Sequence, residues 1–152
     1  GAEISCIHQN MDMLEYGPDA RRANHYFRRL VALRIVNFMS RNFATGEVPL
    51  TAASISERLE IPRGLATELV EELTESGVLI EAAHRGRDEA AYVPARDTDQ
   101  LTVKFVMDAL DRRGVHQIPV ARTEELERIS QSLQAFDEAI EKSPANLRLK
   151  DI

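Results

Sequence analysis

The chain has 152 residues, and 43% of them are hydrophobic, so it can bury one modest core without disulfide or metal staples. Cys6 is the single cysteine, which excludes a disulfide framework or a cysteine-based zinc site within one chain and fits a reducing compartment. The net charge is −6, and no apolar run approaches the roughly 20 residues of a membrane-spanning helix, so we expect this segment to be soluble.

The N-terminal end has a helical pattern and a basic balance. Apolar residues keep helical spacing through residues 1–16, which we interpret as a helix stub cut from something longer, and a link at Gly17 and Pro18 completes this segment, residues 1–18. A long helix is predicted from Asp19, its expected cap, to Phe43, and it opens the main domain, residues 19–120. Residues 1–44 contain six arginines and four acidic residues, whereas the rest of the chain contains 13 basic and 21 acidic residues.

The centre of the chain predicts a helix-turn-helix. Thr51 is suited to cap a short helix, because its hydroxyl can accept a hydrogen bond from a free amide of the first turn. Pro62 cannot continue that helix but suits the first position of a new one, which is predicted to run to Ser76. Gly77 then supplies the left-handed residue that ends the second helix.

A β hairpin is predicted directly after the second helix. Val78 to Ile80 form a buried strand, the polar run His84 to Glu89 turns the chain, and Ala90 to Val93 return as a second strand. A hairpin in this position is the wing of a winged helix. The predicted fold is therefore mainly α, a winged helix-turn-helix with a two-stranded β wing, an N-terminal helical stub and a C-terminal helix.

Two helices and a tail are predicted beyond the wing. Thr102 caps a helix with an apolar stripe, and a last helix runs from Thr123 to about Lys142 within residues 121–143. Residues 144–152 are predicted to be a flexible tail. The last helix has a coiled-coil seam of only about two and a half heptads, so the simpler expectation is that it packs back on its own domain, and the alternative is a dimer contact. The seam residues are Leu126, Ile129, Leu133, Phe136 and Ile140.

Several motifs together resemble one protein family. They are the opening G-A-E-I-S, then P-L-T-A-x-x-I-S-E-x-L-E-I-P, E-L-x-E-S-G-V-L, Y-x-P-A-R-D and L-T-V-K-F-V-M-D-A-L-D-R-R-G. On these motifs the chain up to about Val120 resembles the cytosolic C-terminal extension of YihY/BrkB-family inner-membrane proteins, which traditionally carry the name ribonuclease BN. L-T-A and L-E-I-P also resemble winged-helix regulators such as the Rrf2 family.

The resemblance to YihY/BrkB proteins implies a multi-span membrane parent, with this segment on the cytoplasmic face of the bacterial inner membrane. The arginines that follow the helix stub agree with that placement, because the cytosolic flank of a membrane span is expected to be positive and to meet anionic lipid headgroups. An ordinary solvated face is the alternative. The membrane-proximal candidates are Arg21, Arg22, Arg28 and Arg29.

The second helix of the predicted helix-turn-helix has an acidic outer face. With its leucines turned inward, its outward positions are Thr67, Glu68, Glu71, Glu72 and Glu75. Four carboxylates would repel phosphates, so nucleic acid is not expected as a partner, and this face is predicted to bind protein. The alternative is a nucleic-acid-binding regulator that uses Arg63 at the helix start with Arg85 and Arg87 in the wing.

The sequence offers no arrangement of residues for catalysis. His8, His25, His84 and His116 are scattered, and no histidine spacing typical of a metal site is present. We therefore predict no catalytic residue, no metal and no cofactor. The favoured function is a non-catalytic regulatory or interaction domain of a YihY/ribonuclease BN-like membrane protein, with a protein partner or self-association through the C-terminal helix. Part of a tRNA-processing ribonuclease remains an alternative.

Overall fold

The computed structural model describes residues 24–83, 88–114 and 119–152, and these residues form a winged helix-turn-helix. The predicted fold class is confirmed. The elements in chain order are α1 (His25–Ala44), β1 (Leu50–Thr51), α2 (Ala52–Leu59), α3 (Arg63–Glu75), β2 (Leu79–Ala82), β3 (Ala91–Pro94), α4 (Val103–Asp111), α5 (Glu124–Glu141) and a final 3-10 helix, Leu149–Asp151.

The sheet has one strand more than the predicted wing. β2 and β3 form the expected antiparallel hairpin, with Ile80 opposite Val93. β1, which the sequence did not reveal, pairs antiparallel with β3 and places Leu50 opposite Tyr92. This two-residue strand joins the wing to the start of α2, so the wing and the helix-turn-helix are held as one unit.

Side-chain caps define where four of the helices begin. Thr51, Thr102 and Thr123 each accept a hydrogen bond from the backbone N–H three residues later, at 3.1 to 3.2 Å. The expected cap of the first helix is wrong, because α1 begins at His25 and is capped by Asn24, whose Oδ1 accepts from the Phe27 N–H at 2.8 Å. Capping depends on neighbouring residues alone, which is why most of these starts are visible in the sequence.

The turn between α2 and α3 is tight and held by hydrogen bonds. Glu60 adopts a left-handed conformation with φ of 54°, which ends α2. The Ser56 hydroxyl donates to the Ile61 carbonyl at 2.7 Å, and the Ile61 N–H donates to the Ser56 carbonyl at 3.1 Å. Gly77, at φ 78°, closes α3 as predicted.

The hydrophobic core lies between α1, α3 and the sheet. α1 runs through its middle, and Ile35 and Val36 are fully buried. α3 contributes Leu65, Leu69 and Leu73 from one helical face, which confirms its predicted apolar stripe.

The C-terminal tail is part of the folded domain, so the prediction of a flexible tail over residues 144–152 is wrong. The Val103 N–H donates to the Leu147 carbonyl at 3.0 Å, and the Leu149 N–H donates to the Leu101 carbonyl at 2.9 Å. Leu149 is 2% exposed in the core, and its carbonyl accepts from the buried Asn37 side chain at 2.6 Å. The composition of this segment is typical of a loop, but the burial of Leu149 fixes the segment to the core.

α5 projects from the domain, so the expectation that its seam packs back on its own domain is also wrong. None of its residues is buried. An ion pair connects it to α4, because the ammonium of Lys104 at the start of α4 lies 2.6 Å from Asp108 and 3.1 Å from Asp137 of α5. Burial alone would lower the pKa of Lys104, but the hydrogen bonds from its ammonium to Asp108 and Asp137 raise that pKa above its ordinary value. The seam residues remain 38% to 63% exposed.

No helix among the described residues is long and apolar enough to cross a membrane. The predicted helix stub, residues 1–18, lies outside the described residues together with Arg21 and Arg22. Arg28 and Arg29 are within α1 and make ion pairs inside the domain, Arg28 with Glu68 and Glu72 and Arg29 with Asp111. The structure therefore gives these two arginines an intramolecular role.

Candidate nucleic-acid interface

α3 occupies the position of the recognition helix in a winged helix-turn-helix. Because the leucines of α3 are buried, the opposite face of the helix is directed outward. Thr67, Glu71 and Glu75 on that face are exposed. Glu68 and Glu72 lie on one flank and are only partly exposed, because their side chains turn towards α1. The four glutamates thus do not form the uniform solvent-facing row that the sequence suggests.

Two arginines from outside the helix-turn-helix compensate most of this acidic face. Arg28 of α1 donates to Glu68 at 3.1 Å and to Glu72 at 2.7 Å. Arg113, which follows α4, donates to Glu75 at 3.0 Å and lies 3.5 Å from Glu72. Three of the four carboxylates are therefore paired with guanidinium groups before any ligand arrives.

The Arg28 side chain is only 19% exposed, so its ion pairs are partly shielded from water. Burial alone would lower the pKa of Arg28, but hydrogen bonds and charges from Glu68 and Glu72 raise it above its ordinary value. The guanidinium remains charged and holds both carboxylates, which reduces the repulsion that these glutamates would exert on a nearby phosphate.

Glu71 is the fourth carboxylate, and within the described residues it has no ion-pair partner. The charge of Glu71 also acts on Tyr92 in β3. Burial is the largest cause that raises the pKa of Tyr92, and the charges of Glu81 and Glu71 raise it further. The uncompensated charge on α3 therefore lies at the middle of the helix, away from its first turn.

The first turn of α3 combines an arginine with an open surface. The Arg63 side chain is 66% exposed and donates to Glu89, on the approach to β3, at 2.8 Å. A Cβ atom at Gly64 would meet no other atom within 4 Å, so no packing inside the chain requires a glycine there. The Thr67 hydroxyl donates to the Arg63 carbonyl at 2.9 Å and lies one turn further along the same face.

The other two predicted nucleic-acid contacts, Arg85 and Arg87, lie in residues 84–87, outside the described residues. Glu89, two residues after this segment, accepts the hydrogen bond from Arg63 and holds that side chain beside the wing.

The acidic residues do not converge on a metal site. Among the described residues, no group of three or more histidine, cysteine, aspartate or glutamate side chains is arranged to hold a metal ion. Glu68, Glu72 and Glu75 instead converge on two guanidinium groups.

Sequence reasoning missed the partners of the acidic helix face. Arg28 lies 40 residues before Glu68, and Arg113 lies 38 residues after Glu75. No local pattern signals contacts at that separation. The arginines at the start of the first helix are the only hint in the sequence, and their charge is equally typical of a membrane-facing surface.

Comparisons with known proteins identify the fold but no family. No protein-family model and no curated protein matches the chain. Several solved structures share the fold, among them the following three. CymR of B. subtilis, the global cysteine regulator, has a TM-score of 0.54 and 18% identity over 82% of this chain and 91% of its own. CymR of Staphylococcus aureus has 0.52 and 13% over 83% and 98%. IscR of T. potens has 0.50 and 15% over 74% and 75%.

These matches overturn two predictions. The resemblance to the YihY/BrkB family, with its ribonuclease BN name and membrane parent, is wrong, because the structures that match have a winged-helix fold and include a global cysteine regulator and a putative transcriptional regulator. The prediction that nucleic acid is not a partner is wrong on the same finding. The placement at the inner membrane rested on that resemblance and has no other support among the described residues.

Proposed function

We propose that this chain is a winged-helix transcriptional regulator that binds duplex DNA through α3 and the wing. The observation that carries the proposal is the pairing of Glu68, Glu72 and Glu75 with Arg28 and Arg113. This pairing removes the main electrostatic objection to an α3 that enters the major groove. The shared fold of known transcriptional regulators supports the same conclusion.

The first turn of α3 is the part that fits closest approach to DNA. The N-terminal residues of a recognition helix commonly contact base edges and phosphates. Here those positions offer the Arg63 guanidinium, the bare surface at Gly64 and the Thr67 hydroxyl. Arg63 would exchange Glu89 for a phosphate or a guanine edge, and both partners of that exposed pair are accessible to water.

The test is a titration of the full chain against fluorescently labelled duplex DNA at several salt concentrations. Wild type should bind, and its affinity should fall as salt rises, because phosphate contacts release counterions. Arg63→Ala should weaken binding by about tenfold, the cost of one good base or phosphate contact. Arg122→Ala is the matched control, since Arg122 is an exposed arginine ahead of α5 with no ion pair to a described residue.

Either of two results would refute this proposal. One is the absence of salt-dependent binding at low ionic strength. The other is an equal loss of affinity in the Arg63 and Arg122 variants, which would indicate a general charge effect without a defined interface.

We further propose that two copies of the chain associate through α5. The helix has no buried residue, and five apolar side chains lie along one of its faces. Such a stripe is typical of a helix that buries its apolar face against another element. A second copy of the chain can supply the same stripe, related by a two-fold axis. A dimer also suits DNA binding, because paired recognition helices read two half-sites.

Sedimentation velocity of the full chain measures this association directly. Leu133→Asp places a charge in the middle of the stripe and should convert dimers to monomers. Gln131→Asp adds the same charge on the opposite face and should leave dimers intact. A wild type that is monomeric at all accessible concentrations would overturn the dimer while leaving the DNA-binding proposal to its own test.

A further inference from the structure

A cleft opens between α1 and α2, on a surface that the proposed function does not use. Its volume is about 440 Å³, within the range of about 300 to 1,000 Å³ for small-molecule sites. Its lining comes from one face of α1, the turn after α1 and the last turn of α2. The lining residues are Arg34, Phe38, Arg41, Asn42, Thr45, Glu47 and Arg58.

Positive charge is concentrated in this cleft although the chain carries a net charge of −6. Arg34, Arg41 and Arg58 are all exposed, and among the described residues none has a carboxylate within 4.0 Å. Glu47 is the one acidic residue in the lining. By contrast, the arginines of the candidate nucleic-acid interface, such as Arg63, are all paired in the described structure.

The three arginines line the cleft together with one aromatic ring, that of Phe38. Arg34, Phe38 and Arg41 lie at helical spacings of four and three, so they share one face of α1. Arg58 approaches from α2, and its Cζ lies 6.0 Å from the centroid of the Phe38 ring. The lining of the cleft therefore combines one aromatic ring with cations from two helices.

Arg34 is held in place by a chain of hydrogen bonds that begins in the core. Its Nη1 donates to Asn37 Oδ1 at 2.5 Å, and Asn37 Nδ2 donates to the carbonyl of Leu149 at 2.6 Å. Asn37 is buried at 6% exposure. Because the hydrogen bond to Asn37 already orders the Arg34 side chain, that side chain loses less conformational entropy when a ligand binds. This favours affinity for a ligand that accepts hydrogen bonds from the remaining N–H groups of Arg34.

We propose that this cleft binds a small organic oxyanion, a phosphate or carboxylate attached to a planar apolar group. The oxyanion would accept from the guanidinium groups of Arg34, Arg41 and Arg58, which match the planar geometry of such anions. The apolar group would lie on the Phe38 ring. A contact with the Phe38 ring distinguishes this ligand from the sugar-phosphate backbone of DNA, which carries charge without a planar group next to each phosphate.

The experiment is calorimetric titration of the full chain with phenyl phosphate, with inorganic phosphate and phenol as separate probes. Phenyl phosphate should bind saturably, with a dissociation constant on the order of 1 mM or tighter. Inorganic phosphate and phenol should each bind about tenfold more weakly or undetectably, because each lacks half of the recognition.

Variants then locate the site. Arg41→Ala and Arg58→Ala should each weaken phenyl phosphate binding by about fivefold to tenfold. Phe38→Leu keeps an apolar side chain of similar volume, and it should weaken phenyl phosphate without changing the affinity for inorganic phosphate. Arg112→Ala is the matched control, an exposed arginine outside the cleft that should bind phenyl phosphate as wild type does.

Two outcomes would overturn the inference. The first is no saturable heat with phenyl phosphate, or an equal effect of the Arg41 and Arg112 variants. The second is that Arg41→Ala and Arg58→Ala weaken duplex DNA binding as strongly as Arg63→Ala does and leave phenyl phosphate unaffected, which would make the cleft part of the DNA contact. The first outcome does not depend on whether the chain binds DNA through α3.

Discussion

Leu149→Ala is expected to destabilise the domain strongly, although residue 149 lies near the end of the chain. The side chain is 2% exposed in the core. Truncation to alanine removes three buried carbons, worth roughly 2.4 kcal/mol at about 0.8 kcal/mol each, and the cavity left behind raises the cost to about 3 to 4 kcal/mol. For a domain of this size, the melting temperature should fall by roughly 6 to 15 °C. Thermal unfolding followed by circular dichroism measures the change.

Leu147→Ala provides the matched control, since it is the same substitution two residues earlier. Leu147 is 48% exposed, so its loss should cost under about 1 kcal/mol. Both residues make their backbone hydrogen bonds through main-chain atoms that the substitutions retain. Equal melting temperatures for the two variants would refute the conclusion that the C-terminal tail closes the core.

Three further predictions concern charge and shape. Arg28→Ala removes the partner of Glu68 and leaves Glu72 with Arg113 alone. DNA affinity should then fall about twofold at low salt, because a unit charge about 10 Å from a phosphate is worth roughly 0.4 kcal/mol in water. A DNA titration that shows no loss would contradict this. Lys104 has a raised pKa, so it stabilises the fold below its ordinary pKa of 10.5 and this contribution disappears as the pH rises through the raised value. The free energy of unfolding, measured with urea, should therefore be larger for wild type than for Lys104→Met near neutral pH, and the two values should converge at strongly alkaline pH. A difference that does not change with pH would be evidence against the ion pairs. Gly64→Ala should raise stability by up to about 1 kcal/mol through helix propensity and weaken DNA binding, because the added methyl group occupies the open surface; unchanged DNA affinity would exclude close approach there.

The fold was predictable because its signals are local. Thr51, Thr102 and Thr123 cap helices through bonds to residues three positions away, and Gly77 ends α3 through its own backbone freedom. The apolar stripe of α3 follows from helical periodicity alone. Each of these features can be recognised within a window of a few residues.

The candidate site was harder to predict because its character depends on distant pairings. The glutamates of α3 read as a repulsive surface until Arg28, 44 residues before Glu72, is placed beside them. In the same way, the polar tail gave no sign that Leu149 reaches Asn37, 112 residues earlier in the chain. Sequence gives the charges and the apolar residues, but the fold decides which of them meet.

The seam of α5 illustrates a second limit of prediction from sequence, because one apolar pattern fits two kinds of contact. The spacing of Leu126, Leu133 and Ile140 was visible, but the same spacing serves an internal contact or a partner. Only the exposure of the whole helix favours the partner. The similarity of short motifs to a membrane family was misleading for a related reason, since such motifs record local helix-turn-helix chemistry that several families share.

The most direct test of the proposed DNA binding is selection of binding sites from a library of random duplex DNA by the full chain, followed by sequencing. We expect enrichment of one motif, arranged as two half-sites with centres about 10 base pairs or a multiple of that apart, because a dimer presents two copies of α3. Arg63→Ala should lose the enrichment, and Arg122→Ala should keep it. A library that stays random after repeated rounds with wild type would contradict the proposal that this chain is a DNA-binding regulator.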